Sequence, residues 1–188
     1  MTTFVGNAIG GDTVTAMVHV SDVFTFPNPV NEKTARVVAG GVAVLAAVTL
    51  LTGWHWLFVV LALGFLARVV SGPTLSVLGQ VANRVIAPRL GPPKLVPGPP
   101  KRFAQAIGLI VSTTAAVASL GFGLTTLADV LIAILLVFAT LESVVGFCTG
   151  CWIFGQLMKR GLIPDATCAA CNDIWARDVS TTGARGPR

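Results

Sequence analysis

Charge is scarce in this chain. Only 11% of its 188 residues are Asp, Glu, Lys or Arg, where soluble domains run near a quarter. Hydrophobic residues make up 54%, concentrated in two blocks, Ala35–Val70 and Phe103–Phe147. That imbalance places the chain in the membrane class. Met1–Pro27 holds no Lys or Arg and no apolar core of signal-peptide length, which argues against a secretory signal. An arginine-rich stripe with interleaved aromatics is also missing. The net charge of +5 therefore points to topology and anionic headgroups and not to nucleic acid. The two histidines, His19 and His55, have no ligand-spaced neighbours and are assigned no metal.

What is present reads as an all-α membrane protein of four transmembrane helices in two hairpins. Residues 1–31 form a polar N-terminal segment. Its alternation over Thr13–Val20 suits a short strand or a disordered terminus. The membrane domain covers residues 32–158. Asn31 is placed to cap a helix beginning at Glu32. Spans are expected at about 35–52, 56–70, 103–120 and 127–147. The second is short against the roughly 20 residues a crossing needs. Trp54 and Trp56 in the first hairpin turn suit an interfacial belt.

Thr74–Ala87 carries apolar residues at helical spacing between polar ones, which predicts an interfacial amphipathic helix. Pro88–Pro100 is too rich in proline for helix or central strand, and is expected to be a stiff extended cytoplasmic strap. Gly40, Gly41, Gly64 and Gly108 read as close-packing positions between helices. The fourth span is expected to continue as helix through Trp152 to Met158. Residues 159–188 form a tail, disordered from Thr181 on.

Both hairpin turns lack Lys and Arg. The central connection carries six, Arg68, Arg84, Arg89, Lys94, Lys101 and Arg102, and Lys33, Arg36, Lys159 and Arg160 flank the outer helices. The positive-inside rule then puts both termini and the strap in the cytoplasm.

No cysteine occurs before position 148. All four fall in the last 41 residues, as two CxxC pairs, Cys148/Cys151 and Cys168/Cys171. Three readings fit them. The first is thiol–disulfide or sulfur-relay chemistry, since a CxxC brings two sulfurs within disulfide reach and its surroundings tune the thiolate. Cys148 is then the nucleophile and Cys151 resolves it, while Cys168 and Cys171 relay. Apolar walls come from Phe147, Trp152 and Ile153, and nearby cations from Lys159 and Arg160. The second is structural Zn2+ on all four thiolates, because the 16 residues between Cys151 and Cys168 suit such a site. The third is four small buried hydrophobes. Apart from that zinc, no cofactor is expected.

Glu142 lies inside the fourth span, where a carboxylate is functional by default. Arg68 is its expected partner, either as a helix-packing ion pair or in support of the thiols. Glu142 and Cys148 are six apart, so a bent helix or an intermediary must join them. Asp129 reads as a charge at a helix start. So few intramembrane polar residues make a poor transporter unless the chain forms a homo-oligomer.

The run Phe26–Glu32, the strap ending Pro97-Gly98-Pro99-Pro100-Lys101-Arg102-Phe103-Ala104-Gln105, and Glu142 followed by Gly146-Phe147-Cys148-Thr149-Gly150-Cys151 resemble a bacterial family of four-helix membrane proteins of unknown function. The resemblance covers about Phe26–Met158 and leaves out Cys168 and Cys171. Members of that family tend to be encoded near thioredoxin-like or rhodanese-type proteins. The resemblance thus implies a bacterial inner-membrane location and thiol or sulfur chemistry with a soluble partner of that kind. The competing expectations are a non-catalytic membrane anchor whose cysteines hold zinc, or a subunit of a small sulfur-compound permease.

Overall fold

The computed structural model describes residues 26, 28–72 and 76–163. The calls on Thr13–Val20, on Cys168 and Cys171 and on the tail from Thr181 lie outside the described residues.

The chain is mostly helical. Strand β1 (Val30–Asn31) leads into α1 (Glu32–Thr52). Asn31 caps α1 as expected, its Oδ1 accepting from the Lys33 amide at 3.1 Å. Gly53, in the left-handed region at φ 69°, closes it, where only glycine avoids a Cβ clash. Helix α2 (Leu57–Ser71) follows. Helix α3 (Val77–Val81) loosens into a π turn at Ala82–Ile86 and a 3-10 turn at Ala87–Leu90. The segment expected to be an amphipathic helix is thus helical over its described residues from Val77 on.

The proline-rich strap differs from expectation. Leu95–Val96 form β2, which pairs antiparallel with β1, Val30 facing Val96. Lys94 Nζ also meets Glu32 Oε2 at 2.7 Å. Two residues of strand cost no proline a hydrogen bond, because Leu95 and Val96 supply the backbone groups. Helix α4 (Gly98–Ala116, ending in a π turn at Val117–Gly121) then begins earlier than expected. Its prolines occupy the first helical turn, where the missing amide protons have no intrahelical partner anyway.

Helix α5 (Thr125–Thr140) ends in a π turn at Leu141–Val145, and α6 (Thr149–Lys159) follows. The continuous helix expected through Met158 is therefore broken. Gly146 adopts φ 79°, and Arg36 donates to the carbonyls of Ser143 (3.2 Å) and Val144 (2.6 Å). A cation bonded to the last carbonyls of a helix stabilises its end.

Three described helical segments are long and apolar enough to cross a membrane: Glu32–Thr52, Gly98–Gly121 and Thr125–Val145. Helix α2 is apolar but has 15 residues, about 22 Å at the usual helical rise. The tightest packing runs between the two hairpins, α2 on α4 and α1 on α5, while α1 and α2 touch each other less. The core between them is apolar, with Ala46, Phe58, Ala115, Ala128 and Ile132 fully buried. Two of the buried hydroxyls bond back to their own helix, Thr49 to the Leu45 carbonyl and Ser112 to the Gly108 carbonyl, which satisfies them without a partner on another helix. Large apolar side chains such as Val44, Leu63, Ile110 and Val144 face outward. A soluble monomer rarely exposes so many.

Gly108 lets α4 approach α2, since a Cβ there would collide with the Phe65 ring. Gly108→Val should cost roughly 2 kcal/mol, the usual penalty for overpacking. Thermal unfolding in detergent would check it, with the exposed Ile110→Val as a control that should leave the midpoint unchanged.

Candidate functional site

The break after α5 builds the site. Gly146 turns the chain, Phe147 follows, and Cys148 becomes the N-cap of α6. The Cys148 sulfur accepts the Cys151 amide at 3.4 Å, and the Cys148 carbonyl accepts the Trp152 amide at 3.0 Å. Helix geometry returns Cys151 to the same side one turn later. The two sulfurs lie 2.7 Å apart, with the Cys151 thiol donating to Cys148 Sγ. Both are free thiols, Cys148 buried and Cys151 half-buried. A small torsional change would bring them to the roughly 2.05 Å of a disulfide.

The glycine of the motif has a packing role. A Cβ on Gly150 would lie 2.6 Å from Ala104 Cα, so α6 rests on α4 through that residue. Phe154 stacks edge-on against Phe103, with centroids 5.6 Å apart. The thiols are thereby held against the first turns of α4.

Those turns bring Lys101. Its Nζ meets Glu142 Oε1 at 2.7 Å, and both side chains are largely buried, at 9% and 15% exposure. The expected Glu142–Arg68 pair is therefore overturned. Arg68 Nε instead donates to Gln105 Oε1 at 2.9 Å. The reason is the level along α4. Lys101 and Gln105 lie one turn apart along the same side of α4, and Lys101 at the outer level meets Glu142 while Gln105 one turn further in meets Arg68 of α2. The expected cations Lys159 and Arg160 sit at the far end of α6. Lys101 is the cation that acts on both thiols. The intermediary between Glu142 and the cysteines is thus this lysine. Sequence reasoning counted it as a topology charge. Its place in the first turn of a span, directly after Gly98-Pro99-Pro100, was the available signal.

The surroundings separate the two thiols. The hydrogen bond donated by Cys151 lowers the Cys148 pKa below the ordinary thiol value; burial and Glu142 oppose this, and Lys101 adds to it. The same hydrogen bond, then burial, pushes Cys151 up. A depressed N-terminal cysteine beside a proton-holding partner suits nucleophile and resolver.

Cys148 borders two spaces. One is a narrow interior cavity of about 90 Å3, reaching Gln105, Glu142 and Thr149. Thr149 Oγ1 is buried there and has no hydrogen-bond partner among the described residues. The other is an open cleft of about 460 Å3 shared with Cys151, walled by Leu95, Pro97, Lys101, Phe147 and Trp152. The strap fastened by β1 and β2 forms its rim. Elsewhere, His55 Nε2 meets Asp129 Oδ1 at 3.4 Å and joins the two hairpin turns. Asp129 is thus a cross-turn partner as well as a helix-start charge. Among the described residues no group of three or more His, Cys, Asp or Glu could hold a metal. The four-thiolate zinc reading needs Cys168 and Cys171, which are not described.

Fold and site together define a class: a helical protein with apolar segments of membrane-crossing length that mounts a CxxC thiol pair at the start of a short helix, the last among the described residues. The chain belongs to the DUF4395 family, a domain of unknown function, whose profile matches residues 30–159. Comparison with curated proteins and with solved structures finds no match.

The opposed influences of Lys101 and Glu142 on Cys148 can be read directly. Lys101→Met should move the pH midpoint of Cys148 alkylation upward, because an attractive cation is lost. Glu142→Gln should move it downward. Iodoacetamide labelling followed by mass spectrometry across pH checks both. Equal midpoints in the two variants would contradict the arrangement.

Proposed function

We propose that the protein is a membrane-embedded dithiol that exchanges reducing equivalents, or a sulfane sulfur, with a soluble thioredoxin-like or rhodanese-type partner. The reading is carried by one observation: a lowered-pKa Cys148 hydrogen-bonded to Cys151 on the wall of an open cleft.

In the exchange direction, the Cys148 thiolate attacks one sulfur of a partner disulfide. That S–S bond breaks, a mixed disulfide forms, and one partner thiolate leaves. Cys151 then loses its proton and attacks Cys148 Sγ, expelling the second partner thiolate. The partner gains two electrons and becomes a dithiol, while Cys148 and Cys151 become a disulfide. The reverse sequence reduces the chain. In sulfur relay, Cys148 accepts a sulfane sulfur from a partner persulfide and the partner leaves as a thiolate. Attack by Cys151 on the Cys148 persulfide would release hydrosulfide. Cys168 and Cys171 are assigned the reloading of the first pair.

The setting proposed for this chemistry is the bacterial inner membrane. Four crossings put both termini, the strap and the dithiol on the cytoplasmic side. The cations of the strap and of the helix ends support that orientation. Helix α2 completes its crossing with the help of the turn residues Trp54 and Trp56, both half exposed, which suit the interface.

Cys151→Ser should accumulate a mixed disulfide between Cys148 and an added thioredoxin-like protein, resolvable on a non-reducing gel. Cys148→Ser should form far less. Equal trapping by both variants would sink the assignment of roles. About one zinc per anaerobically purified chain, lost when either cysteine pair becomes serine, would favour the structural-metal reading instead. Labelling of Cys148 and Cys151 by a membrane-impermeant maleimide only from the periplasmic side would refute the orientation.

A further inference from the structure

Helices α1 and α2 touch each other little and leave an apolar groove of about 650 Å3. Gly64 keeps its floor low, Leu78 of α3 packs over Gly41, and Val44, Val48 and Leu63 form its walls. At one end the groove reaches Arg68, near the end of α2 and beside the start of the interfacial helix α3. Arg68 is 4% exposed. Its Nε donates to Gln105, and its guanidinium lies 4.5 Å above the Phe65 ring centroid. Its Nη1 has no hydrogen-bond partner among the described residues. That nitrogen lies 3.7 Å from the position a Cβ would take on Gly64, so the bare donor borders the groove. Among the described residues no carboxylate forms an ion pair with Arg68; Glu142 acts on it through space but is held by Lys101.

A buried arginine without a counter-ion is costly, and costlier still at membrane depth. The geometry points to an anionic phospholipid as the missing partner. One acyl chain lies between α1 and α2, and a phosphate oxygen accepts from Arg68 Nη1. Charge complementarity selects an anionic headgroup, and the uninterrupted apolar walls select a chain attached to it. Arg68 sits three residues before the end of α2, about 4.5 Å along the axis from it, near the level where lipid phosphates lie. Ser76, at the start of α3, closes the same end. The inference rests on α1 and α2 lying in a bilayer. It does not rest on the thiol chemistry, which occupies the other side of α4.

The test uses the full chain reconstituted in nanodiscs of phosphatidylcholine alone or mixed with phosphatidylglycerol, then released into detergent for native mass spectrometry. The wild type should retain one phosphatidylglycerol per chain under activation that strips phosphatidylcholine. Arg68→Gln should lower that retention by roughly tenfold, the scale of losing one charge-assisted hydrogen bond. Val44→Trp, at an outward position with 65% exposure, should block the groove to a similar extent without touching the core. Equal retention of the two lipids would overturn the proposal, as would undiminished retention in Val44→Trp. Binding of free inorganic phosphate with no retained lipid would overturn it too. A Cys148→Ser, Cys151→Ser double variant should retain the lipid as the wild type does, which separates this site from the dithiol.

Discussion

The buried ion pair between Lys101 and Glu142 is the constraint around which the site is organised. It ties the first turns of α4 to the last turn of α5, at the level where the chain leaves the bundle. Two opposite charges with little access to water are tolerated only when their geometry is tight and neither is left alone. The pair therefore dictates where α5 must stop relative to α4. It also leaves a positive charge close to Cys148, which a lone carboxylate would not do. Removing either partner leaves an uncompensated charge beside the thiols, so packing and thiol chemistry cannot be altered separately there.

The break at Gly146 works with that pair. An unbroken helix would carry the cysteines onward along the α5 axis, away from Lys101. The left-handed glycine, held by Arg36 on the last carbonyls of α5, turns the chain back across α4. Gly150 then permits contact close enough for α6 to dock. A CxxC at the start of a helix has its first sulfur at the N-cap, where amide hydrogens and the helix dipole favour negative charge. The hydrogen bond from Cys151 adds to the same preference. Asymmetry between the two thiols thus follows from backbone placement before any partner is present.

The same division of charges sets up the other side of the bundle. With Glu142 committed to Lys101, Arg68 is left with a neutral amide and an aromatic face. Both are weak counterparts for a buried guanidinium. The α1–α2 groove that reaches it is wide because each of those helices packs mainly on the opposite hairpin. Interlocking of the hairpins therefore accounts for the tight thiol platform and for the open lateral groove together.

Apolar blocks, turn residues and the Asn31 cap were enough to place the four helical segments to within a few residues. Their signals are local: periodic hydrophobicity, a capping side chain, glycine at a helix end. Glu142 and the Cys148/Cys151 pair also stood out, because a carboxylate in an apolar run and paired cysteines are rare. Partnership was another matter. Arg68 and Lys101 are both cations bordering the same spans, and nothing local tells which one faces α5. The docked position of α4 decides it, and that position depends on Gly108 meeting Phe65 and Gly150 meeting Ala104. The break at Gly146 was likewise hidden, since Gly-Phe-Cys permits a kink without requiring one. The sequence alone determined that this chain builds apolar helices and carries a cysteine pair beyond the end of one of them. Which charge guards the thiols, and which is left unpaired, was decided by helix packing, because side chains many residues apart meet only once the helices have docked.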